Sequence, residues 1–164
     1  MFIKTTKRFF LAASLAAAAA LPTAAAAQDR PSAKLSSPTN KMSIRDGGIQ
    51  MMHLDAGQAQ AGRWFLILGS VTGTNPGVRL GEFTIPLNYD VYTNFTLSTI
   101  GRGLIVNQLG RLGADGKAMA GFALPPKFVP RSLVGLKVHH AYVTANESGG
   151  IGSVSNPVSV KLVD

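Results

Sequence analysis

The spacing of apolar residues most constrains what this chain can fold into, and their period is two. From Ile49 onward, short apolar stretches alternate with Gly, Pro, Asn and Asp, and the longest unbroken run of large apolar side chains is Trp64 to Leu68. A strand needs only alternation over about four to eight residues, whereas a core helix needs apolar positions three and four apart for at least about ten. Residues 49–54, 63–70, 82–87, 91–98, 104–108, 118–124, 136–144 and 158–162 therefore read as seven or eight short strands. In 63–70 both faces are apolar, Phe65 and Ile67 against Trp64, Leu66 and Leu68, which predicts a central strand. Pro86 puts 82–87 at an edge or an end. In 91–98, Val91, Phe95 and Leu97 share one face, with Tyr92, Asn94, Thr96 and Ser98 on the other.

Further expectations follow from individual segments. Asp115-Gly116 before 118–124 predicts a type I′ hairpin turn, with Ala118, Ala120, Phe122 and Leu124 on one face. In 136–144, Leu136, Val138, His140 and Tyr142 form the more apolar face, which places His140 inward and His139 outward. The only room for a helical turn is 128–133, after Pro125-Pro126. The pattern predicts one all-β domain over 47–164, a single antiparallel β-sandwich of immunoglobulin-like or jelly-roll-like type. Residues 28–46, with Pro31, Ser32, Ser36, Ser37 and Pro38, read as an extended polar lead-in that holds at most one edge strand.

Residues 1–27 read as a cleaved signal peptide. Lys4, Lys7 and Arg8 precede the 13-residue uncharged stretch Phe9 to Leu21, Pro22 breaks it, and Ala25-Ala26-Ala27 offers the small residues that signal peptidase needs. As a helix the stretch spans only about 20 Å, short of the roughly 30 Å hydrocarbon layer. Thr6-Lys7-Arg8-Phe9-Phe10-Leu11 resembles a twin-arginine export motif with Lys in place of the first Arg, so that route stands beside the general secretory one. The chain is accordingly expected to be exported, periplasmic or extracellular, with no membrane span in its mature part.

Composition removes several chemistries. With no Cys, the 164-residue chain holds no disulfide, thiolate zinc site, iron–sulfur cluster or thiol nucleophile. Three of its 16 basic residues fall in the leader, which leaves 13 against 8 acidic residues and a formal charge of +5 after cleavage. Those bases are scattered, with no two adjacent, so they do not make the stripe that nucleic acid requires.

The remaining motifs carry little catalytic signal. Glu82 and Asp90 flank one predicted strand end, and nothing marks them as a facing acid/base pair. Asp90, in Pro86-Leu87-Asn88-Tyr89-Asp90, reads as a turn cap, and Asn88, Asp90 and Asn94 offer too few oxygens for calcium. His139 and His140 are sequence neighbours on a predicted strand, so they point to opposite faces and do not chelate one metal with His53. Gly152-Ser153-Val154 lacks the context of a nucleophile elbow. The glycine-rich stretch from Gly69 to Gly77 lacks the Lys-Ser/Thr and the helix of a phosphate loop. No catalytic, cofactor or metal residue is therefore assigned.

Leu68-Gly69-Ser70 through Thr74-Asn75-Pro76-Gly77, Ile85-Pro86-Leu87-Asn88 with Asp90, Leu112-Gly113-Ala114-Asp115-Gly116, Leu124-Pro125-Pro126, Gly135-Leu136 with His140-Ala141-Tyr142-Val143, and Ser155-Asn156-Pro157-Val158 occur in that order. Over about residues 55–164 they resemble an uncharacterised β-sandwich-like module of secreted bacterial proteins. The resemblance implies export and a β-sandwich, and it brings no catalytic residues. The expected function is that of a non-catalytic exported module with an interaction or structural role in the cell envelope or outside the cell. Its expected partner is an extracytoplasmic protein or an envelope glycan. The alternative is a small secreted hydrolase or lyase built on a carboxylate/His site.

Overall fold

The computed structural model describes residues 33–164; the leader and the start of the lead-in lie outside the described residues. Strand makes up 47% and helix 11%, so the chain is all-β, as its period-two patterning predicts. The strands are β1 (Lys34–Ser36), β2 (Lys41–Ser43), β3 (Gly48–Asp55), β4 (Trp64–Ser70), β5 (Val78–Leu80), β6 (Phe83–Ile85), β7 (Ile105–Val106), β8 (Leu109–Arg111), β9 (Lys117–Leu124), β10 (Lys137–Ala145), β11 (Ile151–Val154) and β12 (Val158–Val163). One α-helix, α1 (Val91–Ser98), follows β6.

Two main sheets result. A four-stranded antiparallel sheet has the order β1-β3-β9-β7. The larger has the order β2-β12-β10-β4-β8, with β2 parallel to β12 and the other pairs antiparallel. Along one side of β10, β12 pairs with the first half and β11 with the second, while β4 pairs along the other side. β5 and β6 form a separate hairpin.

The core lies where alternate residues of the two sheets meet. Met52, Leu54, Ala120, Phe122 and Leu124 from the smaller sheet form one cluster with Phe65, Ile67, Val138, Tyr142, Val160 and Leu162 from the larger. The inward set on β9 is the predicted one. Residues 33–46 also contribute: β1 and β2 are both edge strands, and Leu35, Met42 and Ile44 are buried in the same cluster. β4 is central, as its two apolar faces predict. On its other face Leu68 joins Ile85, Leu87, Ala141 and Val143 in a second cluster, so the β5–β6 hairpin covers the back of the larger sheet.

The structure corrects several expectations. Residues 91–98 form α1, not a strand. Asp90 caps the helix: its side chain accepts from the Thr93 amide while the Thr93 hydroxyl receives the Asp90 amide, a reciprocal capping box. The helical period is masked in the sequence because the buried face holds Thr93 and Thr96, while Val91, Phe95 and Leu97 are exposed. Three-residue 3₁₀ turns occur at Gln58–Gln60 as well as at Arg131–Leu133 inside the predicted 128–133 stretch.

The turn before β9 is not type I′, because Gly116 alone has positive φ, at 74°. The Gly113 amide bonds to the Lys117 carbonyl across a three-residue loop, and the preceding β8 lies in the other sheet. The predicted strand 104–108 shrinks to β7, since Asn107 adopts a left-handed φ of 54° and the Gln108 side chain turns inward. The Gln108 amide donates to the carbonyls of Ile67 and Thr96, which ties β4 to the helix.

Candidate functional site

The placement of the ionisable groups decides whether the chain can do acid/base chemistry. The end of β4 runs into the loop at Val71 and Thr72, and Asp90 fastens that loop to α1. One Asp90 oxygen accepts from the Ser70 hydroxyl (2.8 Å), the Val71 amide (2.7 Å), and the Thr72 amide and hydroxyl (both 2.9 Å). The other accepts from the Thr93 amide (2.9 Å). Desolvation opposes the charge, but the bonds from Thr93, Val71, Ser70 and Thr72 outweigh it and hold the carboxyl well below the usual range. A carboxylate so fully engaged has no lone pair poised for a substrate proton. Glu82 sits in the β5–β6 turn, eight residues before Asp90.

The histidines do not converge. His140 is fully buried on the inner face of β10 and His139 is half-buried on the outer face, as the alternation predicts. His140 Nε2 lies 3.1 Å from the Tyr92 hydroxyl, and its ring centroid lies 5.0 Å from that of Phe122. Burial, with a smaller contribution from His139, pulls its pKa down to about 3, so it is neutral at ordinary pH. Tyr92 is pushed above the usual phenol range by burial and by the Asp90 charge. The pair is a packing joint: Tyr92 carries α1 onto β4 at Gly69, where a Cβ would lie 2.2 Å from its ring.

His53 lies on the outer face of β3, in an open groove of about 520 Å³ with Lys34, Asp55, Asp115 and Lys117. Lys34, Asp55 and Lys117 are cross-strand neighbours, and Lys117 pairs with Asp55 at 3.4 Å. Asp55 and Asp115 each accept a backbone amide two residues on. This is a charge ladder on a solvated sheet face, of the kind that stabilises register. Among the described residues no three His, Asp or Glu side chains are grouped to hold a metal ion.

The feature of different character lies on the back of the larger sheet. A pocket of about 370 Å³ is walled by Leu66, Leu68 and Val143 of the sheet, by the β5–β6 hairpin with Leu87, and by Leu97 of α1. Its volume falls within the range of small-molecule sites, about 300–1,000 Å³. The two polar residues in its wall turn their hydroxyls elsewhere: Thr93 donates to the Gly69 carbonyl and Tyr89 to Asn94. Leu80, Tyr89 and Leu97 at its mouth are 49%, 62% and 40% exposed, so the rim of the pocket is apolar.

A second apolar groove of about 230 Å³ shares Leu66, Val143 and Ile151 with the first and runs on to Trp64 and Leu109. Arg111, paired with Trp64 across β4 and β8, holds its guanidinium 4.7 Å from the Trp64 ring centroid. The sequence carried one sign of this trough, the excess of apolar residues on the outer face of 63–70. It did not reveal that the hairpin and α1 leave space above that face. No known family model, curated protein or solved structure matches the chain.

Proposed function

We propose that this chain is an exported, non-catalytic β-sandwich module of the cell envelope or extracellular space that works by binding an apolar partner on the back of its larger sheet. One observation carries the reading: the pocket between β4, the β5–β6 hairpin and α1 presents no polar atom, whereas Asp90 and His140, two of the ionisable groups that sequence singles out, are engaged in holding the fold. Acid/base catalysis needs a group within reach of a substrate proton, and Asp90 and His140 are both committed to structural partners. The two facing sheets favour the sandwich architecture. The leader, with its basic start, uncharged stretch and alanine triplet, supports export, and so does the resemblance to a module of secreted bacterial proteins. An all-apolar pocket also favours an aliphatic partner over a glycan, whose hydroxyls would be buried without bonds.

The test uses N-phenyl-1-naphthylamine, an uncharged dye that brightens in apolar surroundings. The reading expects saturable binding of one dye per chain, abolished by Leu80→Asp and by Leu97→Asp at the pocket mouth, and no turnover of ester, glycoside or peptide substrates. Turnover that disappears in His53→Ala or Asp55→Asn, with the fold intact, would establish the hydrolase alternative at the charged groove. Absence of saturable dye binding would remove the pocket as the working site.

A further inference from the structure

The trough is longer than one pocket, and Arg111 stacks over the ring of Trp64 at its end; these two facts specify its occupant. We propose that it is a binding site for a soluble, single-chain anionic amphiphile of the fatty-acid class, with the alkyl chain along the outer face of β4 and the carboxylate at Arg111. The proposal rests on the preceding reading of the apolar pocket as the binding site and adds the chemical identity of what enters.

The alkyl chain follows from the walls. The two grooves share Leu66, Val143 and Ile151, so the apolar surface continues from α1 to Trp64. From Leu68 to Trp64 alone it covers roughly 13 Å along β4, at about 3.3 Å per residue. The floor is the face of a sheet, whose backbone groups already bond within the sheet. An extended peptide lying there would bury its own amides and carbonyls without partners, and a sugar would bury hydroxyls. An alkyl chain has neither, and it matches the two joined apolar grooves.

The anionic head follows from the end of the trough. Arg111 sits beside Trp64 on the outer face, and among the described residues it forms no ion pair. Arg63, the other cation next to Trp64 in sequence, is tied to Glu147 at 2.8 Å. Arg79 alternates with Val78 and Leu80, which line the pocket, so it projects away from it and donates to the Gly81 carbonyl. Arg111 thus remains as the anchor, and guanidinium binds carboxylate in a planar, two-point geometry.

Trp64 is the only tryptophan of the chain, so its fluorescence reports directly on the trough. The full chain, purified as its exporting host processes it, is titrated with octanoate, decanoate and dodecanoate below their micelle concentrations, with 1-decanol as the uncharged control. Each step of two methylenes should tighten binding about tenfold, as burial of alkyl groups predicts. Arg111→Gln should weaken decanoate about tenfold and leave decanol unchanged, with calorimetry confirming the affinities independently of Trp64 brightness. Leu80→Asp should weaken both ligands.

Affinities that do not depend on chain length, or an Arg111→Gln effect equal for acid and alcohol, would overturn the proposal. Binding to vesicles of anionic phospholipid without binding of free decanoate would overturn it in favour of a bilayer surface. A dimer that buries Trp64 and excludes decanoate would overturn it in favour of a second copy. If the naphthylamine dye binds and decanoate does not, only the amphiphile assignment fails; if neither binds, the apolar pocket itself fails as the site.

Discussion

Replacing His140 by Ala removes a side chain that is fully buried between α1, β9 and β10 and that meets the Tyr92 hydroxyl at 3.1 Å. Losing that partner costs roughly 1–3 kcal/mol if Tyr92 finds no substitute. The space left by an imidazole adds roughly 1 kcal/mol at about 24 cal/mol per Å³ of cavity. His140 Nδ1 has no protein partner, and removing that buried polar atom returns part of the loss. The net expectation is a destabilisation of about 2–3 kcal/mol at pH 7, or roughly 8–12 °C in Tm for a domain near this size.

The pH dependence makes the test sharper. The folded-state pKa of His140, pulled down to about 3, lies below its ordinary value of 6.5, so between them the unfolded chain binds the extra proton. The stability this neutral imidazole provides is fully present above about pH 6.5 and is lost as the pH falls toward 3, at a limiting slope of about 1.4 kcal/mol per pH unit. His140→Ala lacks that slope, so the stability gap between native chain and variant should close near pH 5. Urea melts at pH 7, 6 and 5 measure it, with His139→Ala as the control expected to stay within about 0.5 kcal/mol. A gap that does not narrow with acid, or a larger loss from His139→Ala, would refute the placement of His140 and with it the register of β10.

Other perturbations probe the joints around the pocket. Asp90→Ala strips the acceptor from the Ser70–Thr72 loop and the cap from α1, and should cost about 2 kcal/mol or more in chemical denaturation; a neutral result would mean the helix does not need its cap. Because the Asp90 carboxyl is held below its ordinary pKa, its contribution is present above about pH 4 and is lost as acid protonates it, so Asp90→Ala should flatten the steepest acid end of the stability curve. Gly69→Ala drives a Cβ into the Tyr92 ring and should destabilise by about 1–3 kcal/mol, with loss of helical ellipticity if α1 lifts; an unchanged melt would contradict the close approach. Intact mass of the exported chain should give a species starting at or next to Gln28, and a form that retains residues 1–20 would contradict the leader.

What was legible in the sequence was whatever obeyed a single period. The inward faces of β9 and β10 follow from alternation, since burying one face of a strand fixes its register, and the central position of β4 follows from its two apolar faces. The short edge strands were less legible. β1, β2, β5 and β8 have three residues each, too few to show a period, and they are recognisable only by what they pair with. Residues 91–98 misled because β-branched and aromatic residues alternate there, while the decisive signal was polar, Asp90 and Thr93 at capping-box spacing. The same strand-like alternation masks the candidate site. The pocket exists because a helix, and not a further strand, crosses β4 at Gly69, and no local pattern states where the hairpin and helix stop short of covering Leu66 and Leu68.

On the proposed function, an apolar partner enters between the back of the larger sheet, the β5–β6 hairpin and α1. Methyl-resolved NMR of the folded chain, titrated with N-phenyl-1-naphthylamine, tests it most directly. Saturable shifts are expected at Leu68, Val78, Leu87 and Leu97, and none at Met52 or Val160 in the inter-sheet core. Shifts confined to Ala118 and Met119 beside the charged groove of His53, or no saturable shift anywhere, would contradict it.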